Sequence, residues 1–293
     1  MPSNAKPIKP AKKISVVEVL SEPAGTVNDD RAGFIGSCAW VIDGATDCSQ
    51  EKYLPGESDA AWLADQFHVG FLRRGFATDV TLTDIIADTT AYVRTLFERE
   101  RIRELTDRGH QPSAAALIAR LRNGFLETAS LGDCQLFVAE PGQRAKLSGV
   151  DRSRLGDRSA IARTQRAMDE HSLDFVSARA KLKPGSSDGR RLMNKPGGYG
   201  VLSIDMAPCN LIQQEQIPLE SGSRLLLASD GFARLYEVFD AYSEETLLDA
   251  AFDKGLAALM AQLRKLEHAD PACTTAPRLK PRDDATALLA LVE

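Results

Sequence analysis

The chain has 293 residues, of which 43% are hydrophobic and 26% charged, with a net charge of −5. This composition is ordinary for a globular protein that buries a full core. The negative balance argues against nucleic acid as the main partner, because duplex-binding proteins usually carry a basic surface. Five scattered cysteines without a C-x-x-C pair exclude a disulfide framework and a zinc–thiolate site. No apolar run approaches the ~18 residues that a membrane span needs, so we expect a reduced, cytoplasmic protein without a membrane partner.

The first thirteen residues differ in character from the rest of the chain. Residues 1–13 contain three prolines and four lysines and offer little that a core could bury. Such a composition predicts a disordered basic tail. No later break in composition marks a domain boundary, so we expect residues 14–293 to form a single, monomeric domain.

The predicted elements arrive in blocks of strands and blocks of helices. In chain order they are a strand at 14–20, a second strand ending at Asp43, helices at 59–76 and 82–105, short strands across 113–139, an insert at about 150–200 with short helices and a loop, strands at 210–217 and 224–228, helices at 232–239 and 244–266, and a strand at 285–292. Thr81 or Thr83 is the expected cap of the helix at 82–105, and Asn123-Gly124 predicts a hairpin turn. Blocks of this kind, in place of strict βαβ alternation, favour antiparallel sheets covered by helices, an α+β domain.

Acidic residues stand at the ends of three apolar strands. Asp43 and Asp230 are each followed by glycine at the end of a strand, and Asp283-Asp284 opens the last strand. A single Asp-Gly is usually a turn, but three such acids together indicate a shared metal site. Carboxylates suit hard cations such as Mg²⁺ and Mn²⁺, and two such ions can hold a bridging water and clamp a phosphoryl group. The chain has no G-x-S-x-G elbow and no P-loop lysine pattern, which fits hydrolysis without a protein nucleophile.

A set of short motifs carries a family resemblance. The motifs are NDDR at Asn28–Arg31, VIDGATD at Val41–Asp47, LGDCQLF at Leu131–Phe137, LLLASDGF at Leu225–Phe232 and DDATALL at Asp283–Leu289. In this order and spacing they resemble the metal-dependent PP2C (PPM) serine/threonine phosphatases of bacterial type. The resemblance implies two central antiparallel β-sheets sandwiched between helical layers, and hydrolysis of phosphoserine and phosphothreonine in signalling proteins with two Mn²⁺ or Mg²⁺ ions.

The resemblance also implies a role for each matching acid. Asp43 is expected to bridge both ions, and the carbonyl group of Gly44 to bind one of them. Asp230 and Asp283 are expected to complete the second site, so that the three carboxylates hold the attacking, metal-bridged water. Asp283 is preferred to Asp284 as the ligand, because the family has Asp-Asn at this point.

Three further acids have weaker expected roles. Asp29 and Asp30 match a Glu-Asp pair that acts through metal-bound waters, although Asp29 is one methylene shorter than the usual Glu. Asp133 matches the acid that holds a third ion in bacterial members.

The chain departs from the family pattern where substrate is bound. Gly25 stands where an arginine usually grips the substrate phosphate, and glycine cannot replace its two hydrogen bonds and fixed charge. A second departure follows Gly44, where this chain continues Ala45-Thr46-Asp47. The basic insert at about 150–200 matches the position of the family's flap and offers replacements. The candidate phosphate-binding residues are Arg152, Arg154, Arg158, Arg190 and Arg191, against the alternative of a solvated charged face.

Three functions therefore stay open from the sequence. The first is a phosphatase acting on a phosphorylated protein. The second is a catalytically weak PP2C-like domain that recognises phosphorylated or regulatory partners without turnover, a hypothesis that the missing arginine supports. The third is a carboxylate–metal hydrolase of small phosphate esters.

Overall fold

Strands and helices alternate in blocks along the chain, as the sequence predicts. The computed structural model describes residues 13–46, 51–75, 77–148, 154–182, 189–207 and 209–293. The strands are β1 (Ile14–Glu22), β2 (Arg31–Ile35), β3 (Cys38–Gly44), β4 (Ser113–Arg122), β5 (Phe125–Leu131), β6 (Gln135–Ala139), β7 (Lys146–Ser148), β8 (Leu202–Ser203), β9 (Gln213–Pro218), β10 (Arg224–Ala228) and β11 (Ala285–Val292). The helices are α1 (Asp59–Arg74), α2 (Leu82–Glu100), α3 (Arg154–His171), α4 (Phe175–Leu182), α5 (Asp230–Glu237), α6 (Leu247–Lys254) and α7 (Leu256–Ala269), with 3₁₀ turns at Arg108–His110 and Cys209–Leu211.

The strands form two antiparallel sheets. The first has the order β1-β11-β10-β6-β7, and the second has the order β2-β3-β4-β5-β9 with β8 added beside β4. Every pairing between these strands is antiparallel. The predicted α+β class with two antiparallel sheets is therefore confirmed.

Alternation along the strands separates the hydrophobic core into layers, because successive side chains of a strand point to opposite faces. On β3, Trp40 and Ile42 pack with α1 and α2, whereas Ala39 and Val41 pack between the two sheets. On the other sheet, the outer faces of β10 and β11 pack with α5, α6 and α7. The order of layers is helices, sheet, sheet, helices, which matches the predicted sandwich.

Several predicted boundaries are confirmed where local chemistry decides them. Asn123 and Gly124 both have positive φ, of 53° and 81°, as the favoured two-residue hairpin turn requires. Thr81 caps α2 in a reciprocal capping box with Asp84. The strands predicted at 224–228 and 285–292 have those bounds.

Other predicted bounds are wrong. The strand expected to end at Asp43 is a hairpin of β2 and β3, because the chain reverses at Gly36, which has φ of 59°. The helix predicted at 244–266 is divided into α6 and α7 at Gly255, whose φ of 81° is incompatible with a continuous helix. The helix predicted at 82–105 ends at Glu100.

The ends of the predicted domain and of the insert lie partly outside the described residues. Residues 1–12 of the predicted tail fall there, while Lys13 exchanges two backbone hydrogen bonds with Glu293. The insert contains two helices as predicted, of which α4 is short and α3, with 18 residues, is longer than expected. None of the helices in the described ranges combines the length and apolar character that crossing a bilayer requires.

Candidate functional site

Strand β3 brings Asp43 to the space between the two sheets. Asp43 follows Ala39 and Val41 at a spacing of two, so it lies on the face of β3 that those residues bury. The backbone N–H of Asp230 donates to Oδ2 of Asp43 over 3.4 Å. Two acids separated by most of the chain are thus direct neighbours.

The charge around Asp43 comes from acids that belong to different loops. Burial raises the pKa of Asp43 well above its usual value, and the charges of neighbouring carboxylates raise this pKa further. These neighbours are Asp30, Asp230, Asp133 and Asp283. The structure therefore brings together all the acids to which the sequence assigned direct metal binding, together with Asp30 and Asp133.

The loop before β2 adds the buried Asp30 and the half-buried Asp29, each with one oxygen that has no hydrogen-bond partner. Asp30 is 1% exposed, and its Oδ2 has no hydrogen-bond partner; the same holds for Oδ1 of Asp29. Burial and the charges of neighbouring acids raise the pKa of Asp30 to about 8, and burial also raises the pKa of Asp29. A buried carboxylate oxygen without a hydrogen-bond partner is unfavourable, and the charges of Lys280 and Arg31 offset burial at Asp29 only in part, since its pKa stays raised.

The glycines after Asp43 and Asp230 permit close contact between the acidic loops. A Cβ atom on Gly44 would lie 2.4 Å from the backbone oxygen of Asp29, and one on Gly231 would lie 1.8 Å from that of Asp284. Neither glycine is among the residues with positive φ. From the motifs alone, these glycines were expected to permit sharp turns. In the structure they matter because they have no side chain, which lets another acid-bearing loop lie against each of them.

Asp284 holds the loop that carries Asp29. Its Oδ1 accepts a hydrogen bond from the backbone N–H of Ala24 over 2.5 Å, and its Oδ2 accepts one from that of Asp29 over 2.7 Å. Both oxygens thus organise backbone groups. This is a structural use of the position where the related motif has Asn.

Asp283 has cations on both oxygens. Arg234 on α5 donates to Oδ2 over 2.6 Å, and Nζ of Lys280 donates to Oδ1 over 2.7 Å. Burial lowers the pKa of Lys280, but the charges of Asp283, Asp230 and Asp43 outweigh burial and hold that pKa above its usual range. The negative charge of Asp283 is therefore balanced within the protein.

A buried ion-pair network supports Arg234. Its Nη1 lies 3.0 Å from Oε1 of Glu267 on α7, with the two side chains 7% and 2% exposed. Arg264 binds the other oxygen of Glu267 over 2.7 Å and also donates to the backbone oxygen of Asp283 over 2.8 Å. Because charge-assisted bonds fix both ends of Arg234, its place beside Asp283 is part of the folded structure.

Three charged residues of the site, Arg234, Lys280 and Glu267, were not predicted from the sequence. Arg234 lies four residues after Asp230, one helical turn away, and Lys280 lies three residues before Asp283. The sequence could have indicated Arg234 and Lys280, because each is a basic residue close to an acidic motif. Glu267 carried no such signal, because it belongs to an ordinary amphipathic helix.

The structure describes the side chains of two of the five arginines predicted to bind substrate. Arg152 lies outside the described residues, and the side chains of Arg154 and Arg158 also lie outside the described part of the structure. Arg190 is 9% exposed and donates to the backbone oxygen of Thr46 over 3.1 Å and to Oγ of Ser113 over 2.5 Å.

Arg191 instead lies on the surface, where it binds Asp107 over 2.7 Å. Arg190 therefore anchors the chain just beyond Asp43, and Arg191 anchors the insert to the segment before β4. At Gly25, where the phosphate-binding arginine is expected, an added Cβ atom would meet nothing within 4 Å.

The donor set fits a divalent cation on one side of the cluster. As the side chains stand, no group of three Asp, Glu, His or Cys residues within the described ranges is arranged to hold a metal ion. The partnerless oxygens of Asp29 and Asp30 beside Asp43 are nevertheless the hard ligands that Mg²⁺ and Mn²⁺ prefer. On the other side, Arg234 and Lys280 already occupy the oxygens of Asp283.

Comparison with known proteins identifies the fold. No protein-family model matches the sequence, and no curated protein gives a significant sequence match. Solved structures do match. The serine/threonine phosphatase PstP/Ppp of Mycobacterium tuberculosis is 14% identical with a TM-score of 0.59, and the match covers 96% of this chain and 100% of that one. Stp1 of Staphylococcus aureus is 12% identical with a TM-score of 0.56, covering 99% and 100%.

A further match bears on metal chemistry. The catalytic domain of PstP in complex with two manganese ions is 14% identical with a TM-score of 0.56, and the match covers 96% of this chain and 98% of that one. At these identities the likeness establishes the architecture. The chain has the fold of the bacterial PP2C-type serine/threonine phosphatases.

Proposed function

We propose that this protein is a metal-dependent phosphatase that hydrolyses phosphoserine and phosphothreonine in protein substrates. The observation that carries the proposal is the cluster of buried and half-buried carboxylates around Asp43, with the partnerless oxygens of Asp29 and Asp30 beside it. Acids whose pKa values are raised by burial and by one another's charge are concentrated at functional sites. A carboxylate site could support several reactions, and the fold shared with serine/threonine phosphatases favours phosphate-ester hydrolysis among them.

The ligands nearest this corner would hold the ion. Asp43, the carbonyl group of Gly44 and Asp230 are the proposed direct ligands, and Asp29 and Asp30 are proposed to act beside them, directly or through water. Asp133 would be available to a further ion. A bound divalent ion would neutralise charge on the phosphoryl group and lower the pKa of a bound water.

The surrounding residues keep these ligands in place. Asp284 positions the Asp29 loop through two backbone N–H groups. Arg190 ties Thr46 to Ser113, the first residue of β4. Preorganised ligands of this kind are what an electrostatic mechanism requires, because they do not have to rearrange during the reaction.

The test is release of phosphate from a phosphothreonine peptide with and without Mn²⁺. The wild-type chain should turn over only with the ion, and Asp43→Asn should lose at least about 100-fold, a typical effect of removing a preorganised electrostatic group. Asp253→Asn, an exposed acid on α6, is the matched control and should keep full activity. Absence of turnover in the wild type with Mn²⁺ present would contradict the proposal.

A phosphoprotein-binding domain without turnover is the second candidate. It is favoured by Gly25, which offers no side chain to a substrate phosphate, and by Asp283, whose charge is already balanced. Fluorescence anisotropy with the same phosphopeptide separates the two, because binding without phosphate release supports only this candidate. Parallel assays with p-nitrophenyl phosphate identify a small-ester hydrolase if that substrate alone is consumed.

A further inference from the structure

We propose that Lys280 takes the place of the second metal ion, so that the acid cluster binds one divalent ion per chain. The inference rests on the proposed function, because it takes the acids around Asp43 to hold an ion. It goes further in naming a protein cation as a component of the site. It also departs from the two-ion arrangement expected from the sequence.

Both oxygens of Asp283 already accept hydrogen bonds from protein cations. A carboxylate binds a metal through the same lone pairs that accept hydrogen bonds. Oδ1 of Asp283 accepts from the Lys280 ammonium over 2.7 Å and also from the backbone N–H of Asp284 over 3.2 Å. Oδ2 accepts from Arg234 over 2.6 Å. A second ion on Asp283 would have to displace one of these cations.

Arg234 is not the cation that can leave. Its side chain is 7% exposed, and it lies 3.0 Å from Glu267, which is 2% exposed. Moving Arg234 away would break two charge-assisted bonds inside the protein and leave Glu267 with Arg264 alone and Asp283 with Lys280 alone, which is unfavourable. Arg234 is thus a positioning residue that fixes Oδ2 and leaves Oδ1 as the remaining route to a metal.

Lys280 occupies that remaining route. Its side chain is 40% exposed, and its ammonium lies on Oδ1, the oxygen that Arg234 does not bind. The charges of Asp230 and Asp43 also act on it, and these are the acids expected to share a second ion with Asp283. A lysine ammonium is a compact positive charge with three hydrogen-bond donors. It therefore supplies at Asp283 the positive charge that a metal ion would otherwise bring.

The opposite corner keeps a deficit of positive charge, because burial raises the pKa of Asp29 and the charges of Lys280 and Arg31 do not bring it back to its usual value. Oδ1 of Asp29 and Oδ2 of Asp30 are buried and have no hydrogen-bond partner. One half of the cluster is thus balanced by the protein, and the other half is suited to an added ion. Lys280 is also a partly exposed cation beside the cluster in a chain that has Gly25 in place of the usual phosphate-binding arginine.

The number of bound ions tests the proposal without any substrate. The full chain is stripped with EDTA, and Mn²⁺ binding is measured by isothermal titration calorimetry and by metal analysis after equilibrium dialysis. We expect one ion per chain for the wild type and two for Lys280→Met, which frees Oδ1 of Asp283 while keeping a side chain of similar length. Lys280→Arg keeps the positive charge and should stay at one ion. Lys265→Met, an exposed lysine of α7, is the matched control and should also bind one.

Each other outcome overturns a defined part of the argument. Two ions on the wild type overturn the inference and leave the proposed function intact. One ion on Lys280→Met overturns the assignment to Lys280. No ion on the wild type overturns the proposed function, and the inference with it. Electron paramagnetic resonance gives a second readout, because two adjacent Mn²⁺ ions in Lys280→Met should show spin coupling that a single ion lacks.

Discussion

The two sides of the acid cluster differ in how their negative charge is balanced. Asp29 and Asp30 each leave a buried oxygen without a partner, whereas Asp283 binds one cation on each oxygen. As motifs, the acids look equivalent, since all stand in loops at the ends of strands. A carboxylate whose charge is balanced by protein cations stabilises the folded structure, whereas a carboxylate whose charge is not balanced is suited to bind an added cation. Stability measurements can separate the two sides directly.

Removing the cation of the balanced side should have the largest effect on stability. Arg234→Met removes the partner that Glu267 and Asp283 share but leaves Arg264 on the first and Lys280 on the second, so the loss should stay within the roughly 3–5 kcal/mol that breaking a buried ion pair costs. Urea unfolding measures the loss. The matched control is Arg144→Met, which removes an exposed pair with Glu245 whose side chains are 82% and 52% exposed. The control should lose only about 0–1 kcal/mol, and equal losses in the two variants would contradict the comparison.

Adding an ion should stabilise the protein through the unbalanced side. At a Mn²⁺ concentration of 100 times the dissociation constant, the free energy of unfolding should rise by about 2.7 kcal/mol, provided that the unfolded chain does not bind the ion. Asp30→Asn removes one of the partnerless carboxylates and should gain clearly less at the same concentration. Asp253→Asn should respond like the wild type. The gain is measured as the shift of the urea unfolding curve, and a full gain in Asp30→Asn would argue against ion binding at this corner.

Crowding the contact between β3 and the Asp29 loop should have a smaller effect. Gly44→Ala places a methyl group 2.4 Å from the backbone oxygen of Asp29, and overpacking of this kind typically costs about 1–3 kcal/mol. Gly25→Ala is the matched control, since a Cβ atom there meets nothing within 4 Å. Thermal unfolding of the two variants without metal should therefore differ. If Gly44→Ala is as stable as Gly25→Ala, the close approach of the two loops is not a constraint.

The pH dependence of stability should reveal the unbalanced side in the ion-free protein. The pKa of Asp30 is raised from 3.8 to about 8 in the folded chain, so the folded chain holds a proton that the unfolded chain releases between these values. The free energy of unfolding should therefore fall as pH rises through this window, by at most about 1.4 kcal/mol per pH unit for one proton. This stabilisation is fully present below pH 3.8 and lost as pH rises through about 8.

Urea unfolding in EDTA at several pH values measures this slope. Asp30→Asn should flatten it, because that proton no longer titrates and the charge that raises the pKa of Asp43 is removed. Mn²⁺ should also flatten it, since the ion binds the ionised carboxylates. A wild-type slope that equals that of Asp30→Asn would show that Asp30 does not hold its proton in the folded chain.

The sequence predicted best those features that depend on local chemistry. The strand bounds at 224–228 and 285–292 followed from apolar runs that end at acidic motifs, and the turn at Asn123-Gly124 followed from the need for two residues with positive φ. The break at Gly255 was missed because a single glycine is tolerated within many helices, and only its observed φ shows that it divides this one.

The sequence by itself also determined which acids meet. Asp43, Asp230 and Asp283 were identified from strand-end motifs, and the antiparallel sandwich brings them within electrostatic reach of one another. Their roles as ligands stay predictions. What only the tertiary structure decided is the balance of charge at each carboxylate, because that balance depends on every neighbour in space. Arg234 reaches Asp283 across 49 positions of the chain, a separation over which no local pattern shows that this acid is paired while oxygens of Asp29 and Asp30 are not.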